Sequence, residues 1–185
     1  GNIGHFDDSG VSVGSIFKLA KDYYFYYMGW NIGGTVPWRN SIGVARYDLL
    51  NNEIRRFKNA PLLDRSEEDP FTLSYPCLLS ADEHYLMFYG SNKRWDTTKV
   101  DIDHVLKIAR SDDGFNWKRL GEVNFPKPVG ANAFCRPTVI KFKDFFLMAY
   151  AFRGEKYKIA FMKSTDLKEW TFLEVLQPKT NSPWE

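Results

Sequence analysis

The sequence has 185 residues, enough for one domain with a sizeable core. Its 25 Lys and Arg nearly balance 23 Asp and Glu, a net charge of +2, which gives no reason to expect nucleic acid or an anionic membrane as a partner. No apolar run approaches the roughly 20 residues that span a bilayer, and no signal peptide is visible at the start.

Aromatic residues make up 17% of the chain, and aromatics favour strands. Taken in order, the elements are short strands over 13–17, 23–29 and 42–46, then 76–79, 85–90 and 106–111, then 137–140, 145–150 and 157–160. The three groups repeat with a period of roughly 60 residues, somewhat longer than common propeller repeats. Two of them close on the same pattern, Ser-x-Asp-x-x-x-Trp, at Ser111-Asp113-Trp117 and Ser164-Asp166-Trp170. The Asp suits a tight turn and the Trp suits packing between repeats, so these residues read as structural. The first repeat departs at 47–53 and carries no Trp there.

No segment shows a sustained helical period with caps. The expected fold is therefore all-β: a β-propeller of four-stranded antiparallel blades, incomplete in this chain because propellers close with about four to eight blades. Blade one is placed at about 9–58, blade two at about 72–121, blade three at about 133–176, and the start of a fourth at 182–185. The remaining blades are expected from missing sequence or from another chain.

Alternating strand direction sorts the loops onto two faces. One face carries short loops, 20–22, 81–84 and 143–144. The other gathers the long ones: 5–10, 30–40, 64–71, 92–96, 131–136 and 153–155, with Trp184 and Glu185 following. Long loops with Trp, Arg, Asp and Asn on one rim of a rigid scaffold are where function usually sits. Tryptophan faces stack on sugar rings, while carboxylates, Asn and Arg bond hydroxyls in directional pairs. The candidate binding residues are Asp7, Trp30, Asn31, Trp38, Arg39, Asn40, Arg65, Arg136 and Arg153. Trp38 could equally be a packed lid, and the arginines could equally be structural ion pairs.

No glycine-rich phosphate loop or dinucleotide fingerprint occurs, and His5, His84 and His104 lack metal-ligand spacing. No cofactor or metal is expected. Cys77 and Cys135 form no disulfide framework; free thiols suit a cytoplasmic location without proving one.

The segments Asp7-Asp8-Ser9-Gly10-Val11, 27–31, 36–43, 61–66, Asp69-Pro70-Phe71, 111–114 and Arg136-Pro137 make the chain similar to glycosidase-like five-bladed propeller proteins related to glycoside hydrolase families 32, 43 and 130. The resemblance implies an axial pocket and cleavage or phosphorolysis of a glycosidic bond by carboxylate acid/base catalysis, on a carbohydrate or sugar phosphate. Such hydrolysis needs one protonated and one ionised carboxyl group flanking the bond. The candidates are Asp8 as base, Glu185 as acid and Asp69 as an orienting group, although Asp8 and Asp69 also suit turns. In the family 43 pattern an acid directly precedes the first strand of several blades; here those positions hold Ser12, Tyr75 and Arg136. That departure keeps two alternatives open, a non-catalytic carbohydrate-binding propeller and a protein-interaction propeller.

Overall fold

The computed structural model describes residues 1–96 and 101–177, with no helix among them. Twelve strands form three antiparallel meanders. The first sheet is β1 (Gly10–Leu19), β2 (Asp22–Ile32), β3 (Trp38–Asp48) and β4 (Glu53–Arg56), in that spatial order. The second is β5 (Leu73–Ala81), β6 (His84–Asp96), β7 (Asp101–Ser111) and β8 (Lys118–Glu122). The third is β9 (Ala133–Phe142), β10 (Phe145–Arg153), β11 (Tyr157–Ser164) and β12 (Thr171–Val175). The second and third sheets join through one parallel bridge, His104 to Ala133. The innermost strand β5 touches both β1 and β9, so the three sheets radiate from one axis. The chain is an incomplete β-propeller; the proposed fourth blade at 182–185 lies outside the described residues.

The strands are apolar on alternate faces because side chains alternate with a period of two. The second sheet uses both faces. Leu73, Leu78, Met87, Tyr89 and Ala109 pack on Leu19, Tyr24, Tyr26, Ile42 and Val44 of the first. Cys77, Leu79, Leu86, Phe88 and Leu106 pack on Phe134, Val139, Met148, Tyr150 and Met162 of the third. The Ser-x-Asp turns lock these stacks. Asp113 Oδ1 accepts from the N–H groups of Phe115 and Asn116, both at 2.7 Å, and Trp117 packs edge-on against Tyr26 of the first sheet. Asp166 repeats the turn, and Trp170 packs edge-on against Phe88. The outer faces of the first and third sheets keep Val11, Val13, Ile54, Ile140, Phe142 and Ile159 exposed.

Each inner strand is bulged near its start. The register slips at Val13/Ser15 in β1, between Ser74 and Cys77 in β5, and opposite Ala149/Ala151 in β9. The last two slips set Tyr75 at φ 47° and Arg136 at φ 52°, left-handed values that cost a non-glycine residue. Bulges re-aim side chains and cluster beside functional sites; Tyr75 and Arg136 at these two both line one cavity.

Candidate binding cavity and the buried aspartates

A cavity of about 690 Å³ opens where β2 and β6 end and β5 and β9 begin. Its wall includes Trp30, Trp38, Tyr75, Asn92, Arg136 and Arg153. All of these sit at the tops of second strands or the bottoms of first and third strands, on the long-loop face. The volume falls in the range of small-ligand pockets, roughly 300–1,000 Å³.

The aromatic wall comes from the first two sheets. Trp30 and Asn40 pair across β2 and β3, and Trp38 pairs with Ile32, so all four share one face and line the cavity. Asn31 pairs with Arg39 one step along, which turns both to the opposite face. Neither lines the cavity, so the pleat does not bring them to the wall that holds Trp30 and Trp38. Trp38 packs edge-on against Trp95 of β6, with ring centroids 5.2 Å apart, leaving it half-buried at the rim.

The polar wall comes from the second and third sheets. Asn92 of β6 pairs with His104 of β7, His104 bridges to Ala133 of β9, Ala133 pairs with Arg153 of β10, and Arg153 pairs with Tyr157 of β11. One row across five strands thus carries an amide, an imidazole, a guanidinium and a phenol past a single small alanine. His104 Nδ1 lies 2.5 Å from Asn92 Oδ1. The amide oxygen can only accept, so Nδ1 carries the proton. The guanidinium of Arg136 stacks on Tyr75, with Cζ 4.5 Å from the ring centroid. Tyr75, Asn92, His104 and Tyr157 were missed as site residues. Tyr75 sits where Arg136 does, one residue before a proline; the other three become neighbours only through the inter-sheet bridge.

The acids sit elsewhere. Among the described residues no Asp or Glu lines this cavity. Asp69 is fully buried and saturated: Tyr89 Oη and Arg119 Nε donate to one oxygen (2.9 and 2.6 Å), Ser91 Oγ and Lys107 Nζ to the other (2.6 and 2.8 Å). Burial opposes its charge, but the bonds from Lys107, Ser91 and Arg119 outweigh it and hold the carboxyl below its ordinary value. A carboxylate held ionised by four donors acts as a clamp within the second blade, and Asp69 does not line the cavity.

Asp7 is the same clamp one blade earlier. It is 1% exposed, receives Arg56 through both oxygens (2.9 and 2.7 Å) and accepts from Tyr27 Oη at 3.0 Å. The Asp-to-Tyr spacing is 20 residues in both blades, and the Asp-to-Arg spacing is 49 and 50. Asp7 lines a separate cavity of about 320 Å³ on the outer face of the first sheet. In the third blade Tyr150 holds the register of Tyr27 and Tyr89, yet Gly130 stands 20 residues before it and Phe172 pairs where the arginines do. Its buried hydroxyl has no partner among the described residues, and burial pushes its pKa up to about 12.

Asp8 does not line the cavity. Gly4 N–H and Ser9 Oγ donate to it, each at 2.9 Å, and these bonds hold its carboxyl below the usual value. The backbone N–H of Ser9 donates to the Trp30 carbonyl, and Ile32 N–H donates to Ser9 Oγ, so the Asp8 turn rests on two cavity-lining residues. Arg65 is exposed outside the cavity. Glu185 and Trp184 lie outside the described residues.

Residues 4–185 match the family model described as the glycosyl hydrolases family 32 N-terminal domain. Two uncharacterised proteins of Mycobacterium tuberculosis are each 39% identical over 168 residues, which is 90% of this chain and 56% of theirs. The chain therefore spans little more than half the length of these relatives. A probable sucrose-6-phosphate hydrolase of Psychromonas ingrahamii is 33% identical over 98 residues, 51% of this chain and 18% of its own. Among solved structures, a sucrose-6-phosphate hydrolase of Lactobacillus gasseri superposes with a TM-score of 0.74 at 17% identity, over 93% of this chain and 36% of that one. A Bombyx mori family 32 β-fructofuranosidase does so at 0.70 and 19%, over 90% and 34%. At these identities the superpositions speak for the fold.

Proposed function

The chain belongs to the glycosyl hydrolase family 32 N-terminal domain family and is glycoside hydrolase-like, and from that premise we propose that its axial cavity binds a carbohydrate and that the intact protein acts on a glycosidic bond there. The observation that carries this reading is the make-up of the cavity: Trp30, Trp38 and Tyr75 offer flat apolar faces beside the directional donors Asn40, Asn92, Arg136 and Arg153. Asp8 is the carboxylate of this chain proposed as base, since it is held ionised on the turn that supports Trp30. Glu185, or a residue of a further blade, is proposed as the acid. The exposed apolar faces of the first and third sheets, together with the greater length of the relatives, support completion of the ring by further blades.

One observation favours a second reading. Hydrolysis needs two carboxyl groups about 5–10 Å apart across the bond, and the described cavity wall holds none. A propeller that binds sugar without cleaving it fits that wall. Product release from glycosides by the intact protein, abolished in Asp8→Asn with folding unchanged, supports hydrolysis. Saturable glycan binding with no product, equal in wild type and variant, selects binding alone.

A further inference from the structure

We infer that Trp95, near the outer end of β6, is a specificity-determining residue of the cavity: with Trp38 it forms an aromatic corner that stacks one ring of a glycan beyond the ring held deeper in the wall. The inference rests on the carbohydrate reading above and deepens it.

The first argument is register, which builds the wall in two levels. On the first blade Trp30 pairs with Asn40, and Ile32 pairs with Trp38 on the same face, two residues further out, or roughly 7 Å. On the second blade Asn92 pairs with His104, and Trp95 pairs with Ile102, two residues further out along β7. The outer pairs of the two blades meet, with the Trp38 and Trp95 ring centroids 5.2 Å apart. The third blade stops one level short. There β10 ends at Arg153 and β11 begins at Tyr157, the residues that share the row of Asn92 and His104. The inner level thus carries the directional amides Asn40 and Asn92, whereas the outer one is apolar and aromatic, with Ile32 and Trp38 on the wall and Trp95 against them.

The second argument is the bulge that aims Trp95. Between Asn92 and Arg94 the register slips, so β6 carries one more residue than β7. In a regular hairpin Trp95 would stand an odd number of places beyond Asn92 and face the other way. With the extra residue it shares the face of Asn92 and His104, both of which line the cavity. Bulges that re-aim a side chain are features of sites, not defects.

The third argument is the geometry of the pair. The two indoles cross at 67°, so one ring's edge meets the other's face and the pair makes a corner with two steep walls. Both rings are half-buried. Trp170 supplies the contrast: it is 3% exposed, packed on Phe88 between blades, and spends its faces on the core. A sugar ring entering the corner lies on one indole with its edge against the other. Below it, Asn40 and Asn92 present amide groups to the hydroxyls of the next ring.

The test is a glycan array probed with the intact protein. The best binder, and analogues shortened by one ring at a time, are then titrated into wild type, Trp95→Leu, Trp95→Phe, Trp38→Ala and the double variant Trp38→Ala/Trp95→Leu. The expected result is a loss of about 2- to 10-fold in Trp95→Leu for the longer glycans, the worth of one aromatic contact, and no loss for the shortest. Trp95→Phe keeps a flat face and recovers part of the affinity. The double variant binds about as weakly as Trp38→Ala alone, because the two rings act as one unit. An equal loss on short and long glycans overturns the inference and leaves Trp95 as a prop for the cavity's shape. Unchanged binding of every glycan, or a best binder of a single ring, overturns it as well, and both leave the carbohydrate reading standing. Failure of the wild type to bind any glycan removes that reading itself.

Discussion

Replacing Asp69 by Asn should cripple the fold before it touches any chemistry, because either orientation of the new amide strands a cation. If the retained oxygen faces Ser91 and Lys107, the NH2 meets Arg119; if it faces Tyr89 and Arg119, the NH2 meets Lys107. Those two cations are only 13% and 17% exposed. Breaking one side of a buried pair typically costs ~3–5 kcal/mol. Lys107 and Arg119 keep contacts to the carbonyls of Glu68 and Asp64, which favours the lower half of that range. For a domain of this size each kcal/mol moves Tm by about 2–4 °C, so the melting temperature should fall by roughly 6–20 °C. Thermal unfolding of the intact protein followed by circular dichroism measures it directly. The pH dependence adds a sign. The folded carboxyl is depressed, so its contribution is fully present above the unfolded carboxylate pKa and is lost as pH falls through the folded value. Wild type and variant should therefore converge in acid. A variant that melts within about 1 kcal/mol of wild type at neutral pH and loses only turnover would refute the clamp and restore Asp69 to the chemistry.

The other predictions test the same construction at separate points. Tyr150→Phe should be neutral or stabilising by up to ~1 kcal/mol, because it removes a buried hydroxyl with no partner among the described residues, whereas Tyr89→Phe should cost ~1–2 kcal/mol by removing a donor to Asp69; urea midpoints at constant slope compare them. Asp113, held down to about 2 by the turn N–H groups of Asn116 and Phe115 against its own desolvation, contributes stability above the usual carboxylate value of about 3.9 that fades as pH falls toward 2. The melting curves of wild type and Asp113→Asn should then meet over that interval and separate above it. Trp38→Ala should weaken binding of the best array glycan about 2- to 10-fold, the worth of one ring-face contact, with the urea midpoint little changed because Trp38 is half-buried at the rim; an unchanged dissociation constant would return Trp38 to the role of a packed lid.

The repeat was the legible part of this molecule. Period-two strands and two copies of Ser-x-Asp-x-x-x-Trp are local signals, and strand alternation correctly gathers the loops at 30–40, 92–96, 131–136 and 153–155 around one mouth. The candidate site was legible only in part, for two physical reasons. Residues at the ends of long strands still obey the pleat, so Trp38 and Asn40 face the cavity while Arg39 between them cannot. Reading 30–40 as loop discarded that alternation. The pairing of the aspartates was not legible because their partners arrive from 20 and about 50 residues away, on the second and fourth strands of the same blade.

That second failure contains its own remedy. A catalytic acid has no reason to recur with the same tyrosine and the same arginine in successive blades, since a site on the axis is formed once per ring. A clamp has every reason to, since each blade must tie its leading loop to its outer strand. The 20-residue spacing to tyrosine and the 49- and 50-residue spacings to arginine were present in the sequence as a second repeat inside the first. The third blade supplies the control: Gly130 and Phe172 replace the acid and the base together, and the tyrosine left behind has lost its bond. Acid and arginine vary as a unit with the blade. Tyr75 and Arg136 do not follow that rule; they occupy equivalent positions with unlike chemistry and meet at the axis. In a repeat protein the positions that hold the fold are those that agree between repeats. The positions where equivalent backbones present different side chains to one shared space, here Tyr75 and Arg136 on the cavity wall, are the ones a function formed once per ring can draw on.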